Sequence, residues 1–221
     1  MDVIQAIKTR SSTRAFLDKP VDRETVEAIL DTARWAPSGG NLQPWRVVVL
    51  TGESKQRIGD EIIAAREAGI KEHPDQPYYP TEWFEPYKSR RKASGLALYQ
   101  ALGIKREDMQ RRKEVWDRNY HFFDAPVGLL FFVDKRVKPG SLIDTGMFMQ
   151  SVMLTATAHG LATCPQVSLA DYPDIIRDCV KVSDDYSLVC AMSLGYADSN
   201  AAVNSYRTER VTVAEFTSWC D

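Results

Sequence analysis

The sequence is poor in the residues that usually announce catalysis. Its three histidines, His73, His121 and His159, are scattered, and none stands at metal-ligand spacing beside a cysteine. Its four cysteines, Cys164, Cys179, Cys190 and Cys220, form no CxxC pair, so they read as free thiols of a reducing compartment and no metal is expected. GxGxxG after a strand, GxxxxGK[ST], HExxH and GxSxG are all missing, which removes the common phosphate-loop, zinc-protease and serine-hydrolase readings. No apolar run approaches the roughly 20 residues of a membrane span, and the opening MDVIQAIKTR lacks the apolar core of a signal peptide. A cytoplasmic protein with no membrane partner is the expectation. With 28 Lys and Arg against 30 Asp and Glu, the net charge is −2, so no overall basic field exists for nucleic acid. A chain without its own nucleophile or acid–base pair points to chemistry borne by a cofactor.

What is there suits one folded domain. The 221 residues are 44% hydrophobic and 26% charged, ordinary values for a globular chain of this length. Val3, Ile4 and Ile7 share one face of a short opening helix that ends near Arg10. Asp22 is placed to cap a second helix, in which Val26, Ile29, Leu30 and Ala33 recur at i, i+3, i+4 and i+7. That helix stops before Pro37, because proline disfavours helix in the residue preceding it. Residues 45–50, 127–133 and 188–194 read as buried strands, and 141–159 as a central, almost fully buried helix with Gly160 as its cap. His159, at the end of that helix, reads as a cap or packed residue. Residues 173–180 suit a short helix. Strands and helices do not alternate regularly, so the expected fold is α+β, a mixed, mostly antiparallel sheet flanked by helices.

Two segments fit a compact globule poorly. Residues 70–123 carry ten of the 22 aromatics together with basic runs such as Lys88–Lys92. They read as surface helices, either a lid over a site or a solvated insertion with a small core of its own. Residues 198–221 have weak periodicity and form a tail that either frays or packs on a partner chain.

Three polar clusters could bind a ligand. Arg10-Ser11-Ser12-Thr13-Arg14 offers two guanidinium forks and short hydroxyl donors, suited to phosphate, although a solvated basic helix end would look the same. Ala36-Pro37-Ser38-Gly39-Gly40-Asn41-Leu42-Gln43-Pro44-Trp45 combines a flexible turn with amides that match a heterocyclic edge, or is simply a well-made helix-to-strand loop. Arg207-Thr208-Glu209-Arg210 is surface charge when read alone.

Read in order, R-S-S-x-R, A-P-S-G-G-N-x-Q-P-W and the G-Y-A-D with R-T-E-R of the tail resemble the nitroreductase family of FMN proteins, over essentially the whole chain. The resemblance implies an intertwined homodimer with a swapped C-terminal tail, and FMN in clefts lined by both chains. It would give one domain over 1–221, an insertion or lid at 70–123 and an extension at 198–221. By position, Arg10, Ser11, Ser12 and Arg14 would hold the phosphate, ribityl chain and pyrimidine edge, with Arg207 or Arg210 completing the phosphate cage. Pro37, Ser38, Gly39, Asn41 and Gln43 would come from the opposite chain. Pro165-Gln166-Val167-Ser168 matches the segment whose backbone amides face the flavin, without the acidic residue that some members carry there. Trp83, Phe84, Tyr87, Arg90 and Arg91 would roof the pocket. NADH or NADPH would donate hydride, and nitroaromatics or quinones would accept it in a ping-pong scheme, with Arg14 stabilising the reduced flavin electrostatically. Reductive dehalogenation and non-enzymatic FMN binding are the alternative outcomes.

Overall fold

The eight residues of β2 (Val127–Asp134) are apolar up to the last, because the strand lies inside the sheet with both faces covered. The computed structural model describes residues 1–220 and orders the sheet β1-β2-β4-β3, with β1 at Trp45–Thr51, β3 at Ala162–Gln166 and β4 at Tyr186–Gly195. Every pairing between these strands is antiparallel. The parallel component is a single bridge, Ser12 to Thr163.

Alternation along β2 sends its side chains to two cores. Leu130 and Phe132 join Leu50, Ile58, Ile62, Leu169, Ile176 and Leu188 on one face. That face is covered by α3 (Gly52–Glu67) and α7 (Pro173–Val180). Leu129 and Phe131 join Val26, Ile29, Phe148, Val152 and Met192 on the other, under α2 (Arg23–Ala33) and α6 (Gly140–Ala158). The result is a helix–sheet–helix sandwich. The predicted cap is real: the Asp22 carboxylate accepts from Thr25 N at 2.6 Å. Gly160, at φ +74°, ends α6 as expected, and Leu161 N donates back to Ala156 O at 2.9 Å.

Two expectations need correction, and a further helix is more exposed than its apolar face suggests. The strand at 45–50 is an edge strand, so only Leu50 is buried and Val49 is 43% exposed. The central helix α6 is uncovered along one side, where Ile143 is 70% exposed. The opening helix α1 (Val3–Thr9) forms where expected and ends at Arg10, but it buries only Ala6, leaving Val3 and Ile4 more than 60% exposed. In each case an apolar side chain lacks a neighbour within the chain, a fact that periodicity cannot report.

The long stretch after α3 contains α4 (Tyr87–Ala101) and α5 (Met109–Asp117), neither with a buried residue. Its ends are anchored. His73 N donates to Asp171 O at 3.0 Å, and the Asp75 carboxylate accepts from buried Arg177 and from Leu188 N. Tyr120, Phe122 and Phe123 are buried. A one-turn helix, α8 (Val213–Phe216), closes the tail with a Thr212–Glu215 capping box.

Candidate active site

After α1 the chain runs along the edge of the sheet. Thr13 N donates to Thr163 O at 3.0 Å and Leu17 N to Tyr196 O at 2.8 Å. This course carries Arg10, Ser12 and Arg14 past β3 and towards the start of the tail. The tail is then fastened to them by one amide. Asn204 Oδ1 accepts from Arg14 N, while its Nδ2 donates to Ala15 O and Asp198 O, all at 2.8 Å.

The outcome is a cavity of about 160 Å³ whose lining includes Arg10, Ser12, Arg14, Arg207 and Arg210, with Ser94 of α4 at its margin. Ser11 lines it as well. Arg207 Nη2 donates to Thr9 O at 2.7 Å and Arg10 O at 2.8 Å, the last carbonyls of α1. Arg210 folds over its own loop, donating to Thr208 O and Glu209 O at 2.9 Å. Arg14 Nη1 donates to Ser12 O and the Tyr206 hydroxyl, both at 3.3 Å.

Four guanidinium groups thus border one cavity. Among the described residues no carboxylate lies within ion-pair distance of any of them. Burial, then the charges of Arg210 and Arg207, push Arg10 below its ordinary pKa. Uncompensated like charge of this kind is relieved by a bound anion, and a planar donor fork suits phosphate oxygens. The donor set fits the phosphate end of a nucleotide cofactor.

The turn at 37–43 lies elsewhere. Gly39 N donates to the buried Asp144 carboxylate at 3.3 Å, Gln43 N to Ser38 Oγ at 3.0 Å, and Gln43 Nε2 to Asn41 O at 3.1 Å. Asn41 and Gln43 hold left-handed backbone at φ +56° and +49°, a strained conformation for side-chain-bearing residues. Pro37, Gly39, Asn41 and Gln43 are exposed. Asp144 is near the start of α6, whereas Thr163, beside Ser12, follows its end; the intervening helix alone spans about 20 Å. One chain therefore does not bring the two clusters together.

At the β3 end, the buried Gln166 side chain is committed to the fold: its Oε1 accepts from Ser193 Oγ at 2.5 Å and its Nε2 donates to Asn119 O at 2.7 Å. Its backbone stands opposite Ala191 at the end of β3. Pro165 and Val167 are half-buried, and Ser168 Oγ and Thr163 Oγ1 are buried without hydrogen-bond partners.

The model of the nitroreductase family matches residues 7–196. The chain belongs to the nitroreductase family. Among its relatives, the 4-nitrobenzoate reductase of Pseudomonas putida is 40% identical across 98% of this chain and 94% of that one. The nitrobenzene nitroreductase of Ectopseudomonas oleovorans is 39% identical across 96% and 94%. The crystal structure of the FMN and NADPH-dependent nitroreductase NfnB from Sphigopyxis sp. strain HMH superposes with a TM-score of 0.97 at 39% identity, covering 100% of both chains.

In this family member the excursion forms its own aromatic surface. Tyr79 and Trp83 rings lie 5.4 Å apart, Phe84 and Tyr87 5.2 Å apart in an edge-to-face pair. Arg91 stands 4.8 Å over Trp83, and Arg90 5.7 Å over Tyr87. Sequence reasoning passed over Asn204, Tyr206 and Ser94, which also line the arginine cavity. Only the polarity of the tail hinted at the first two, and nothing local marked Ser94.

Proposed function

We propose that this chain is an FMN-dependent oxidoreductase that uses NADPH or NADH to reduce nitroaromatics, quinones or related small aromatic acceptors. The observation that carries the reading is the arginine cavity, assembled from both chain ends and left without an acidic partner. Relatives of matching length are reductases of nitrobenzoate and nitrobenzene, and the NfnB structure from Mycobacterium smegmatis contains NADPH.

Arg10, Arg207 and Arg210 hold the phosphate, with Ser11 and Ser12 as short donors. Arg14 presents a cation where two-electron reduction deposits negative charge, and so favours that charge. In the segment Pro165–Ser168, the backbone N–H groups after Pro165, which has none itself, would donate along the ring edge. When bound, FMN would supply the two-electron hydride chemistry between nicotinamide and acceptor. Trp83, Phe84, Tyr87, Arg90 and Arg91 cover the site, limit water and choose the acceptor. No side chain acts as nucleophile, and donor and acceptor use the same space in turn.

The active unit in this reading is a homodimer. A cavity of about 160 Å³ is smaller than the ~300–1,000 Å³ of ordinary small-molecule pockets, so one chain supplies part of the site. Pro37, Ser38, Gly39, Asn41 and Gln43 of a second copy complete it. The open flanks of α1 and α6, and the exposed Phe216 and Trp219 of the tail, give that copy an apolar seat. Among the described residues no helix is long and apolar enough to cross a membrane. The free cysteines suit a reducing compartment, the cytoplasm.

The test is the visible spectrum of the purified protein during anaerobic addition of NADPH or NADH. Flavin bands that bleach, then return with nitrobenzene, are the expected result. A protein that stays colourless after incubation with FMN overturns the reading.

A further inference from the structure

The tail touches Arg14 twice. At the backbone, the Asn204 amide oxygen accepts from Arg14 N at 2.8 Å. At the side chain, the Tyr206 hydroxyl accepts from Arg14 Nη1 at 3.3 Å. The stretch that carries both contacts is held from within. The single turn Ala202–Asn204 buries Val203, and Ser205 N donates to Ala202 O at 3.1 Å. This course brings the half-buried Tyr206 to the wall of the arginine cavity.

Arginine presents five N–H donors in a planar fork. In Arg14 the Nη1 corner is spent on Ser12 O and the Tyr206 hydroxyl. Among the described residues its Nε and Nη2 have no hydrogen-bond partner. Those two nitrogens share the edge that grips planar acceptors side-on. Both partners at Nη1 are neutral, so they fix the direction of the fork without cancelling its charge. A free arginine side chain must surrender rotamer freedom when it meets a ligand, and a pinned one has less to lose.

We infer that Tyr206 is a positioning residue: its hydroxyl holds Arg14 by the Nη1 corner, keeps the Nε–Nη2 edge ready for the cofactor, and thereby raises the reduction potential of bound FMN. This rests on the FMN reading above, in which Arg14 faces the part of the flavin that gains negative charge on reduction. A cation already fixed in place favours that charge more than a mobile one, because nothing has to reorganise as the charge arrives. Tyr206 acts through Arg14 alone, and the phosphate remains held by Arg10, Arg207 and Arg210.

The FMN-loaded protein tests this with Tyr206→Phe, which keeps the ring and removes the hydroxyl, alone and combined with Arg14→Met. Spectroelectrochemical titration with FMN in excess reads the midpoint potential, fluorescence titration reads the affinity for oxidised FMN, and thermal melts read the fold. Loss of one hydrogen bond to the guanidinium predicts that Tyr206→Phe lowers the preference for reduced over oxidised FMN by about three- to tenfold, a potential roughly 15–30 mV more negative for a two-electron couple. Affinity for oxidised FMN and Tm stay near the wild type. In the Arg14→Met background, Tyr206→Phe produces no further shift, since the group it positions is gone. An unchanged potential in Tyr206→Phe overturns the inference, as does a shift that persists in full without Arg14. A wild-type chain that binds no FMN sinks the flavin reading itself.

Discussion

Arg207 donates from one nitrogen to the carbonyls of both Thr9 and Arg10, at 2.7 and 2.8 Å, and so ties the tail to the C-terminal end of α1. Those carbonyls are orphaned by the helix end and carry its negative pole, which suits a cation. Arg207 therefore braces the fold as well as facing the cavity. Arg210 bonds only within its own loop. Arg207→Ala is expected to weaken FMN binding by about tenfold or more and to lower Tm, whereas Arg210→Ala weakens binding with Tm nearly unchanged. Fluorescence titration of FMN alongside thermal melts of the apoprotein separates the two.

A site shared between copies predicts complementation. Arg14→Ala and Asn41→Ala each damage one half of every site when alone. Refolded together at equal ratio, half the dimers are mixed, each with one intact site, so about a quarter of all sites recover. Activity that stays at the level of the single variants counts against the shared site.

Asn204 makes three hydrogen bonds that join residues 14–15, 198 and the tail. Asn204→Ala leaves partly buried backbone groups without partners, at about 1–3 kcal/mol. Urea denaturation should register that loss, together with weaker FMN binding because Arg14 is no longer held.

Gly128 lies where β2 passes the fully buried Phe122 ring, whose Cε1 would stand 2.7 Å from an added Cβ. The ring has no room to retreat. Gly128→Ala should destabilise by about 1–3 kcal/mol, without changing acceptor preference. A Tm equal to the wild type would contradict the packing described here.

Burial, with Glu72 adding to it, pushes the Asp171 carboxyl up from 3.8 to about 6. The folded state thus holds this proton more tightly than the unfolded chain, so stability is lost as pH rises from about 4 to about 6. The loss is on the order of 1 kcal/mol once solvent screening is allowed for. Asp171→Asn should flatten that part of the profile of Tm against pH. An unchanged profile would show that another group governs it.

Much of the sandwich was legible because its causes are local or periodic. Asp22 caps α2 through a residue three positions away, and β2 reads as interior because seven successive apolar residues leave it no solvent face. The edge position of β1 was not legible, since Val49 is apolar whether or not a strand lies beyond it. Arg10 and Arg207 illustrate the same limit at the site. Each alone is a surface cation, and only their order along the chain, set beside a family resemblance, suggested one cage.

Sequence by itself determined α1, α2, α6 and α7, the interior strands β2 and β4, and the family, whereas the 16-residue α3, with its mixed polar pattern, was passed over. Periodicity, capping and donor chemistry act over a few residues and survive in any context. Tertiary structure decided that Asn204 fastens Arg14 across 190 positions, that Gln166 spends its side chain on Ser193 and Asn119, and that the turn at 37–43 lies away from the arginine cavity. Hydrogen bonds and charge fields depend on distance in space, and packing of the sandwich sets those distances.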